Sequence, residues 1–229
     1  PRVLEHLVDV VAYLESQEYG TYRILRNNKN RFGSTTEVGV FEMTNKGLTD
    51  VPDPSSALLS QRYEHAVGSA LVPVVEGSRP LLLEVQALTS LTHLPAPRRV
   101  ANGVDHSRLL MLAAVLSRRA GVELSNQDLI VSVAGGFQVN EPASDLAITV
   151  AIASSMRNGP IDPRLVIFGE IGLSGELRTV PQAQRRLEEA ARLGFCQCAL
   201  PETALEGLKV PPGMELLPAR TLQQVLKTV

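Results

Sequence analysis

The chain has 229 residues and a formal net charge of -2, with 44% hydrophobic and 20% charged residues. This balance is typical of a folded protein and argues against extensive disorder or a globally basic nucleic-acid binder, while leaving room for a local basic patch. No apolar run reaches the roughly 20 residues that span a bilayer, and the N-terminus has no signal-peptide pattern. We therefore expect a piece of a longer cytoplasmic protein with no membrane partner.

The first sixty residues contain four short runs in which apolar and polar residues alternate, and these runs predict strands. They cover residues 8–14, 22–26, 37–43 and 48–51. The turn signal Thr44-Asn45-Lys46-Gly47 predicts a hairpin between the last two. Prolines and serines then mark a connection with room for one short helical turn. We place a domain boundary at its end, which gives a first domain at residues 1–63 and a second at 64–229.

From His65 onward helical and extended patterns mix, which predicts an α+β fold. Asp105 is a good N-cap and Gly121 a good C-cap for one helix, and Asn140 precedes a second helix over residues 141–156. The remaining expected helices cover residues 181–193 and 221–229. The expected strands cover residues 68–75, 80–88, 129–134, 164–169 and 195–200.

The two cysteines, Cys196 and Cys198, are spaced to lie on one face of the last of these strands. Buried thiols are the simplest interpretation, because no other Cys or clustered His supports a metal site. We therefore predict no metal.

Two cations, Lys29 and Arg31, lie in a polar loop that ends at Gly33 between two strands. Cations on such a loop can neutralise the charge of a γ-phosphate across a subunit boundary, although two cations in a loop more often form a solvated turn. No Gly-x-x-x-x-Gly-Lys-Ser/Thr motif occurs, and no glycine is followed by lysine. This piece therefore lacks the phosphate-binding loop of an ATPase and is not expected to hydrolyse ATP alone.

The segment Lys29-Asn30-Arg31-Phe32-Gly33 reproduces a signature of the bacterial RadA (Sms) family of recombination proteins. Residues 1–9, 22–26 and 37–43 also resemble that family, and the resemblance continues to the C-terminus. It implies that residues 1–63 are the last strands of a RecA-like ATPase core, and that Lys29 and Arg31 contact nucleotide in a neighbouring subunit. His6 and Asp9, expected on the strand that enters this region, either sense nucleotide or DNA or have a structural role.

The same resemblance implies properties of the whole protein. That protein is expected to be a DNA-dependent ATPase or helicase that uses ATP and Mg²⁺, neither of which this piece should bind alone. Its expected partners are single-stranded DNA at the motor, duplex DNA at the second domain, further copies in a homo-hexamer and a recombinase of the RecA type.

The second domain resembles the proteolytic domain of the Lon family, which has a ribosomal S5 domain 2-like fold. The clearest matches are Ala147-Ile-Thr-Val-Ala151 and Gly169-Glu-Ile-Gly-Leu-Ser-Gly-Glu-Leu-Arg178. Lon proteases cleave with a Ser–Lys dyad, in which a neutral lysine takes the proton of the serine hydroxyl. The serine position falls on Asp145, although a one-residue shift would place Ser144 there. The lysine position falls on Gln184, whose amide is no general base at neutral pH.

The lysine content argues against proteolysis without any alignment. The chain has only four lysines, at positions 29, 46, 209 and 227, so no amine lies between Ser69 and Leu208. A substitute set built on His93 or His106 is disfavoured because no nucleophile-elbow motif accompanies either residue. We therefore expect no catalytic residue in this domain.

Arginine dominates the positive charge of the second domain, where it supplies 13 of the 15 basic residues from Ala66 onward. Guanidinium groups bind phosphates with forked hydrogen bonds, although a given arginine more often solvates a helix or forms an ion pair. Arg98 and Arg99 are the strongest candidates for DNA contact because their proline-constrained loop has no neighbouring acids. The full set of candidates is Arg98, Arg99, Arg108, Arg118, Arg119, Arg178, Arg185 and Arg186.

Two functions for the second domain remain open. The resemblance favours a proteolytically inactive scaffold that binds DNA and helps close a hexamer in recombinational repair and branch migration. The alternative is a pseudoprotease that keeps the Lon groove and docks a peptide or protein there.

Overall fold

The computed structural model describes residues 2–16, 22–60, 62–63 and 65–229. Its first sheet has four antiparallel strands, each paired with the next one along the chain. A short helix precedes this sheet and another follows it. These elements are α1 (Arg2–Glu5), β1 (Val10–Ser16), β2 (Tyr22–Asn30), β3 (Val38–Thr44), β4 (Gly47–Asp50) and α2 (Pro54–Leu59).

The second sheet has seven strands in the order β13-β12-β9-β5-β6-β8-β7. Strands β5, β9, β12 and β13 run parallel to one another, β7 runs parallel to β8, and β6 is antiparallel to both of its neighbours. The strands of this sheet are β5 (Ser69–Glu76), β6 (Arg79–Leu91), β7 (Arg99–Asn102), β8 (Gln127–Val133), β9 (Leu165–Ile167), β12 (Gln197–Pro201) and β13 (Glu215–Ala219).

Four helices and one small hairpin complete the second part of the chain. The hairpin pairs β10 (Glu170–Ile171) with β11 (Leu177–Arg178). The helices are α3 (His106–Ala120), α4 (Asp145–Arg157), α5 (Ala183–Arg192) and α6 (Leu222–Thr228). Together with the two sheets they confirm the predicted fold class, in which RecA-like terminal strands precede a Lon-like α+β region. No helix in the described part of the chain is long and apolar enough to cross a bilayer.

The predicted helix ends follow from local chemistry. The Asp105 carboxylate accepts a hydrogen bond from the Arg108 amide at 2.7 Å, and Gly121 ends α3 with a left-handed φ of 70°. Helix α4 begins one turn later than predicted, because residues 142–144 form a 3₁₀ turn before Asp145. Every residue from 145 to 154 is buried, so α4 is the central helix of the core.

The two sheets meet in one hydrophobic core. Ile24 of β2 and Val40 of β3 belong to the same buried cluster as the strands of the second sheet. The rings of Tyr22 and Phe137 lie 5.6 Å apart, and α2 packs on β6. The domain boundary after Tyr63 stays a prediction, and Glu64, the first residue of the predicted second domain, lies outside the described residues, as does Pro1.

Some sequence predictions of the fold were wrong. The segment around Arg99, expected to be a loop, contains strand β7, and β13 was not expected at all. Both strands are short and depend on parallel pairing with distant partners, which local periodicity does not reveal. Cys196 precedes β12 instead of sharing a strand face with Cys198. Cys198 is fully buried, and that burial raises the pKa of its thiol.

Candidate functional site

The predicted phosphate-facing segment, residues 29–33, is called the cation loop below. Lys29 was expected in a loop, but it is the penultimate residue of β2, and its Nζ donates to the main-chain oxygen of Glu5 at 2.7 Å. The Arg31 amide donates to the Asp9 main-chain oxygen at 2.9 Å, and Arg31 Nη1 lies 2.7 Å from Asp9 Oδ1. The cation loop is therefore fastened to the chain that precedes β1, while the Arg31 side chain stays 70% exposed.

The structure corrects the expected location of His6 and Asp9. Both lie in the turn between α1 and β1, not on a strand. Asp9 holds the Arg31 guanidinium, which gives it a positioning role, and His6 is exposed in the same turn. A sensing role for either residue stays a prediction.

The position expected for the Lon serine is occupied by a buried ion pair. Asp145 has no exposed surface, and its Oδ1 accepts a hydrogen bond from Arg108 Nε at 2.8 Å. Its Oδ2 accepts from Arg108 Nη2 and, at 3.1 Å, from the Ile171 amide. Burial raises the pKa of the Asp145 carboxyl, and the hydrogen bonds from Arg108 and Ile171 oppose that rise. The same ion pair raises the pKa of Arg108.

The position expected for the Lon lysine is also bonded into the fold. Gln184 Nε2 donates to Glu188 Oε1 at 2.9 Å and to the Lys209 main-chain oxygen at 3.0 Å, and its Oε1 accepts from the Lys209 amide at 2.8 Å. Ser144, the alternative nucleophile, is buried, and its hydroxyl donates to the Glu141 main-chain oxygen at 2.8 Å. The hydroxyl of Ser144 and the amide of Gln184 are therefore bonded to other groups, and the two do not form a nucleophile–base pair.

Three of the DNA-contact candidates have partners inside the protein. Arg186 is 2% exposed and grips both carboxylate oxygens of Glu141, so the prediction that it contacts DNA is wrong. Arg108 forms an ion pair with Asp145, and its side chain is only 31% exposed. Arg98 was expected to have no acidic neighbour, but its guanidinium and its amide both bind the buried carboxylate of Asp128. The expectation that Arg98 has no acidic neighbour is therefore wrong.

The other candidates lie nearer the surface. Arg99 donates to the main-chain oxygens of Leu124 and Gln127, and Arg185 donates to Ser78 O and Gln182 Oε1. The other three lie in the last turn of α3 or on β11 of the β10–β11 hairpin, and we call them the hairpin arginines: Arg118, Arg119 and Arg178.

The hairpin arginines differ in their partners. Arg119 Nε donates to Leu173 O at 3.2 Å, and its Cβ lies 2.9 Å from where Gly175 would carry a side chain. Arg178 pairs with Glu176. Arg118 is exposed and has no polar partner among the residues that the structure describes.

Comparisons with known proteins cover the whole chain. It is 48% identical over 229 residues to DNA repair protein RadA of Streptococcus pyogenes serotype M1 and 46% identical over 229 residues to that of Streptococcus pneumoniae. With RadA of Bacillus subtilis the identity is 47% over 228 residues. Each alignment covers 100% of this chain to the nearest percent. The chain belongs to the RadA family.

The chain spans about half the length of the RadA proteins it matches, covering 51%, 54% and 50% of them respectively. A family model described as subunit ChlI of Mg-chelatase also matches, over residues 100–204. That match runs from β7 to the 3₁₀ turn after β12, so it lies within the Lon-like region of this RadA-family chain.

Sequence reasoning missed the partnership of Arg108 with Asp145, although one signal for it was present. Asp145 opens a run of apolar residues that continues as Leu146, Ala147 and Ile148, and a carboxylate in such a run requires a buried cation or several donors. The sequence also did not predict that the side chain of Phe32, a residue of the RadA signature, is 79% exposed.

Proposed function

We propose that this RadA-family chain is part of a DNA-dependent ATPase and helicase that acts in recombinational DNA repair and branch migration. In this proposal the Lon-like region is a proteolytically inactive scaffold that binds duplex DNA and helps close a homo-hexameric ring. The observation that supports the loss of proteolysis is the buried contact between Asp145, Arg108 and Ile171, because bonds of this kind hold the residue that we expect at the position of the Lon serine. ATP, Mg²⁺, single-stranded DNA and a RecA-type recombinase would engage the whole protein.

The cation loop would act on nucleotide bound by a neighbouring subunit. Its support is that Lys29 and Arg31 are held in fixed places by main-chain and carboxylate partners, while Arg31 keeps most of its surface free. A pre-positioned guanidinium or ammonium group stabilises the charge that develops during phosphoryl transfer.

The hairpin arginines are the DNA surface that the geometry favours. Arg118 and Arg119 lie in the last turn of α3, Arg119 contacts the β10–β11 hairpin at Leu173, and Arg178 lies on β11 of that hairpin. Only Arg178 among them has a carboxylate partner in the described residues. Phosphate contacts of this kind supply affinity for DNA without reading its sequence.

Peptide docking remains the second candidate because a cleft is present whose lining includes Glu141, four residues before Asp145 in the sequence. This cleft has a volume of about 500 Å³ and is lined by residues 74–76 and 138–141. Glu15 and Arg26 from the first sheet also line it, and Arg26 pairs with Glu76 across it. Its charged lining suits a polar segment better than an extended apolar peptide.

A salt titration of duplex binding tests the DNA proposal. We expect affinity to fall steeply with salt, and the double variant R118A/R119A to bind more weakly, with a log–log slope reduced by about 0.9 for each phosphate that the variant no longer neutralises. The control is R164A, which removes an exposed arginine that pairs with Asp162 away from the hairpin. Binding that is insensitive to salt and unchanged in R118A/R119A contradicts the proposal and favours peptide docking.

A further inference from the structure

Leu173 lies in the turn of the β10–β11 hairpin and is 67% exposed. The turn is formed by residues 172–175, and the Gly175 amide donates to the Gly172 main-chain oxygen at 2.9 Å, as in a β-turn. Glycine and short polar residues dominate such turns, because each of them suits the turn backbone for a physical reason that leucine lacks. Leu173 therefore carries apolar surface that the hairpin itself does not cover.

The hairpin is bonded to the core on two sides. The Gly175 main-chain oxygen accepts a hydrogen bond from the Leu222 amide at 2.9 Å, at the start of α6. On the other strand, the Ile171 amide donates to Asp145 Oδ2 at 3.1 Å. A turn that is held in this way presents Leu173 in one place before a ligand arrives, which lowers the entropy lost on binding.

The guanidinium of Arg119 lies beside this turn. Its Nε donates to the Leu173 main-chain oxygen at 3.2 Å, whereas neither of its Nη atoms has a partner in the described part of the chain. One edge of the guanidinium is therefore fixed to the turn, and the other nitrogens remain available. Phosphate oxygens accept forked hydrogen bonds from guanidinium nitrogens of this kind.

The carboxylates of the hairpin already have partners. Glu176 Oε1 accepts from Arg178 Nε at 3.1 Å, and Glu176 Oε2 accepts from the Ser174 amide at 3.1 Å. Glu170, at the base of the hairpin, lies opposite Arg178 in the strand pairing. Arg119 has no carboxylate partner among the described residues, so the turn joins an exposed apolar side chain to an unpaired cation.

This combination fits duplex DNA better than a protein surface. Proteins that bind the minor groove insert apolar side chains, leucine among them, between base pairs, and basic side chains accompany the insertion. The centre of a protein–protein interface is formed by several apolar side chains, but the turn offers Leu173 alone between glycines and a serine. The unpaired charge of Arg119 is complementary to a phosphate backbone.

We propose that Leu173 is a wedge that enters duplex DNA, unstacks one base step and kinks the duplex, while Arg119 binds a phosphate beside it. The proposal rests on the duplex binding proposed above for the Lon-like region and assigns the hairpin a further role in deforming the DNA. Leu173 adds little affinity, because the cost of unstacking offsets the free energy gained when its side chain leaves water.

The test measures the bending of DNA by the full-length protein without ATP. A duplex of about 20 base pairs is stiff, because it is far shorter than the persistence length of DNA. Energy transfer between dyes at its two ends therefore rises when the duplex is kinked, wherever the protein binds. Wedges of this kind kink DNA by roughly 20–90°. Fluorescence anisotropy of the same duplex measures affinity, and the mass of the protein without DNA is followed in parallel.

For L173A we expect most of the rise in energy transfer to be lost at saturating protein, with the dissociation constant within about threefold of the parent. L173M keeps a long apolar side chain and should retain the rise. R119A should weaken binding, with a log–log salt slope reduced by about 0.9, because one phosphate is no longer neutralised. The matched control is L88A, which removes a leucine that is 61% exposed on β6 and should match the parent in both measurements.

A rise in energy transfer that L173A leaves unchanged overturns the wedge. So does an equal loss in L173A and L88A, or an L173A variant that changes only the mass of the protein without DNA, since that result indicates a protein contact. The duplex-binding proposal fails separately, if R118A/R119A binds duplex as the parent does. If R118A/R119A binds more weakly while L173A bends DNA like the parent, only the wedge fails.

Discussion

Asp145 carries a carboxylate with no exposed surface at the start of the central helix, and its counter-charge comes from a different helix. Taking both groups out of water is costly, and their attraction offsets that cost only while both are present. The amide of Ile171 completes the set of donors. The buried carboxylate of Asp145 thus depends for its counter-charge on Arg108, which lies 37 positions away along the chain.

Removing the cation of this pair should destabilise the fold. R108L leaves the Asp145 charge buried and served only by the Ile171 amide, so we expect a loss of about 3 kcal/mol in the free energy of unfolding. Urea unfolding followed by circular dichroism measures it. R178L, which breaks the exposed pair with Glu176, is the matched control and should change stability by about 0.5 kcal/mol or less. Equal losses in the two variants would show that Asp145 does not depend on Arg108.

At the scale of single residues the sequence did not predict which partners the candidate site residues bind. Asp145 and Gln184 were identified as replacements for a Ser–Lys dyad from their neighbours in the chain, but nothing local indicated that one binds Arg108 and the other the main chain of Lys209. Arg98 shows the same limit. Its acidic partner Asp128 lies on β8, across a strand pairing that no local pattern revealed.

Helices α2 and α5 join the two sheets through a polar cluster. The buried hydroxyl of Ser55 donates to Glu189 Oε1 at 2.7 Å and accepts from the Leu82 amide at 3.0 Å. Arg192 binds both Asp53 and Glu189. Asp53 also caps α2 by accepting from the Ser56 amide. The short connection after β4 is therefore a structural joint, in which one small helix is bonded to a strand and to a second helix.

This joint should give the protein an acid-sensitive contribution to stability. The hydrogen bond from Arg192, the largest cause, holds the pKa of Asp53 well below its usual value of about 3.9. A carboxyl whose pKa is depressed in the folded state stabilises that state above its ordinary pKa, and the contribution is lost as the pH falls below it.

The free energy of unfolding measured from pH 6 down to pH 2 should therefore decline less steeply in D53N than in the parent. Asn is as good an N-cap as Asp, so the helix cap is retained. D50N, at the exposed end of β4, serves as the control and should follow the parent curve. Parallel curves for D53N and the parent would contradict the role of Arg192.

Helices whose ends carry clear capping residues were predicted well. Strands that form only by pairing with a segment far away in the sequence were not. The caps of α3 fall at Asp105 and Gly121 as expected, because each cap is a local hydrogen-bonding and φ/ψ requirement. Strand β7 exists because it lies parallel to β8, with Val100 opposite Ile130. Its four residues carry too short a pattern to be recognised alone.

The whole molecule combines a RadA-family sequence with a Lon-like region in which both dyad positions have structural partners. We expect no hydrolysis of casein by this chain and no difference between the parent and S144A. The reasons are that Ser144 is buried and bonded to Glu141, and that the lysine side chain nearest in sequence, Lys209, is exposed. A fluorescent casein assay measures it, with an active Lon protease as the positive control. Hydrolysis that S144A abolishes would restore a proteolytic function.

At the molecular scale the fold class and family were predictable because signatures such as Lys29-Asn-Arg-Phe-Gly33 are long and specific. The surface was not predictable. Which arginines face solvent depends on which carboxylates the fold brings to them, so Arg186 is inside and Arg118 outside although both belong to Arg-Arg pairs in the sequence.

The ion pair of Asp145 also limits how a Ser–Lys pair could be introduced into this fold by substitution. D145S alone strands the Arg108 charge, and Q184K alone gives up the amide that holds Lys209. Each single substitution is therefore expected to lower stability while supplying only one member of a Ser–Lys pair. Positions 108, 145 and 184 would therefore have to change together before a serine and a lysine could stand at these two places without the loss of existing bonds.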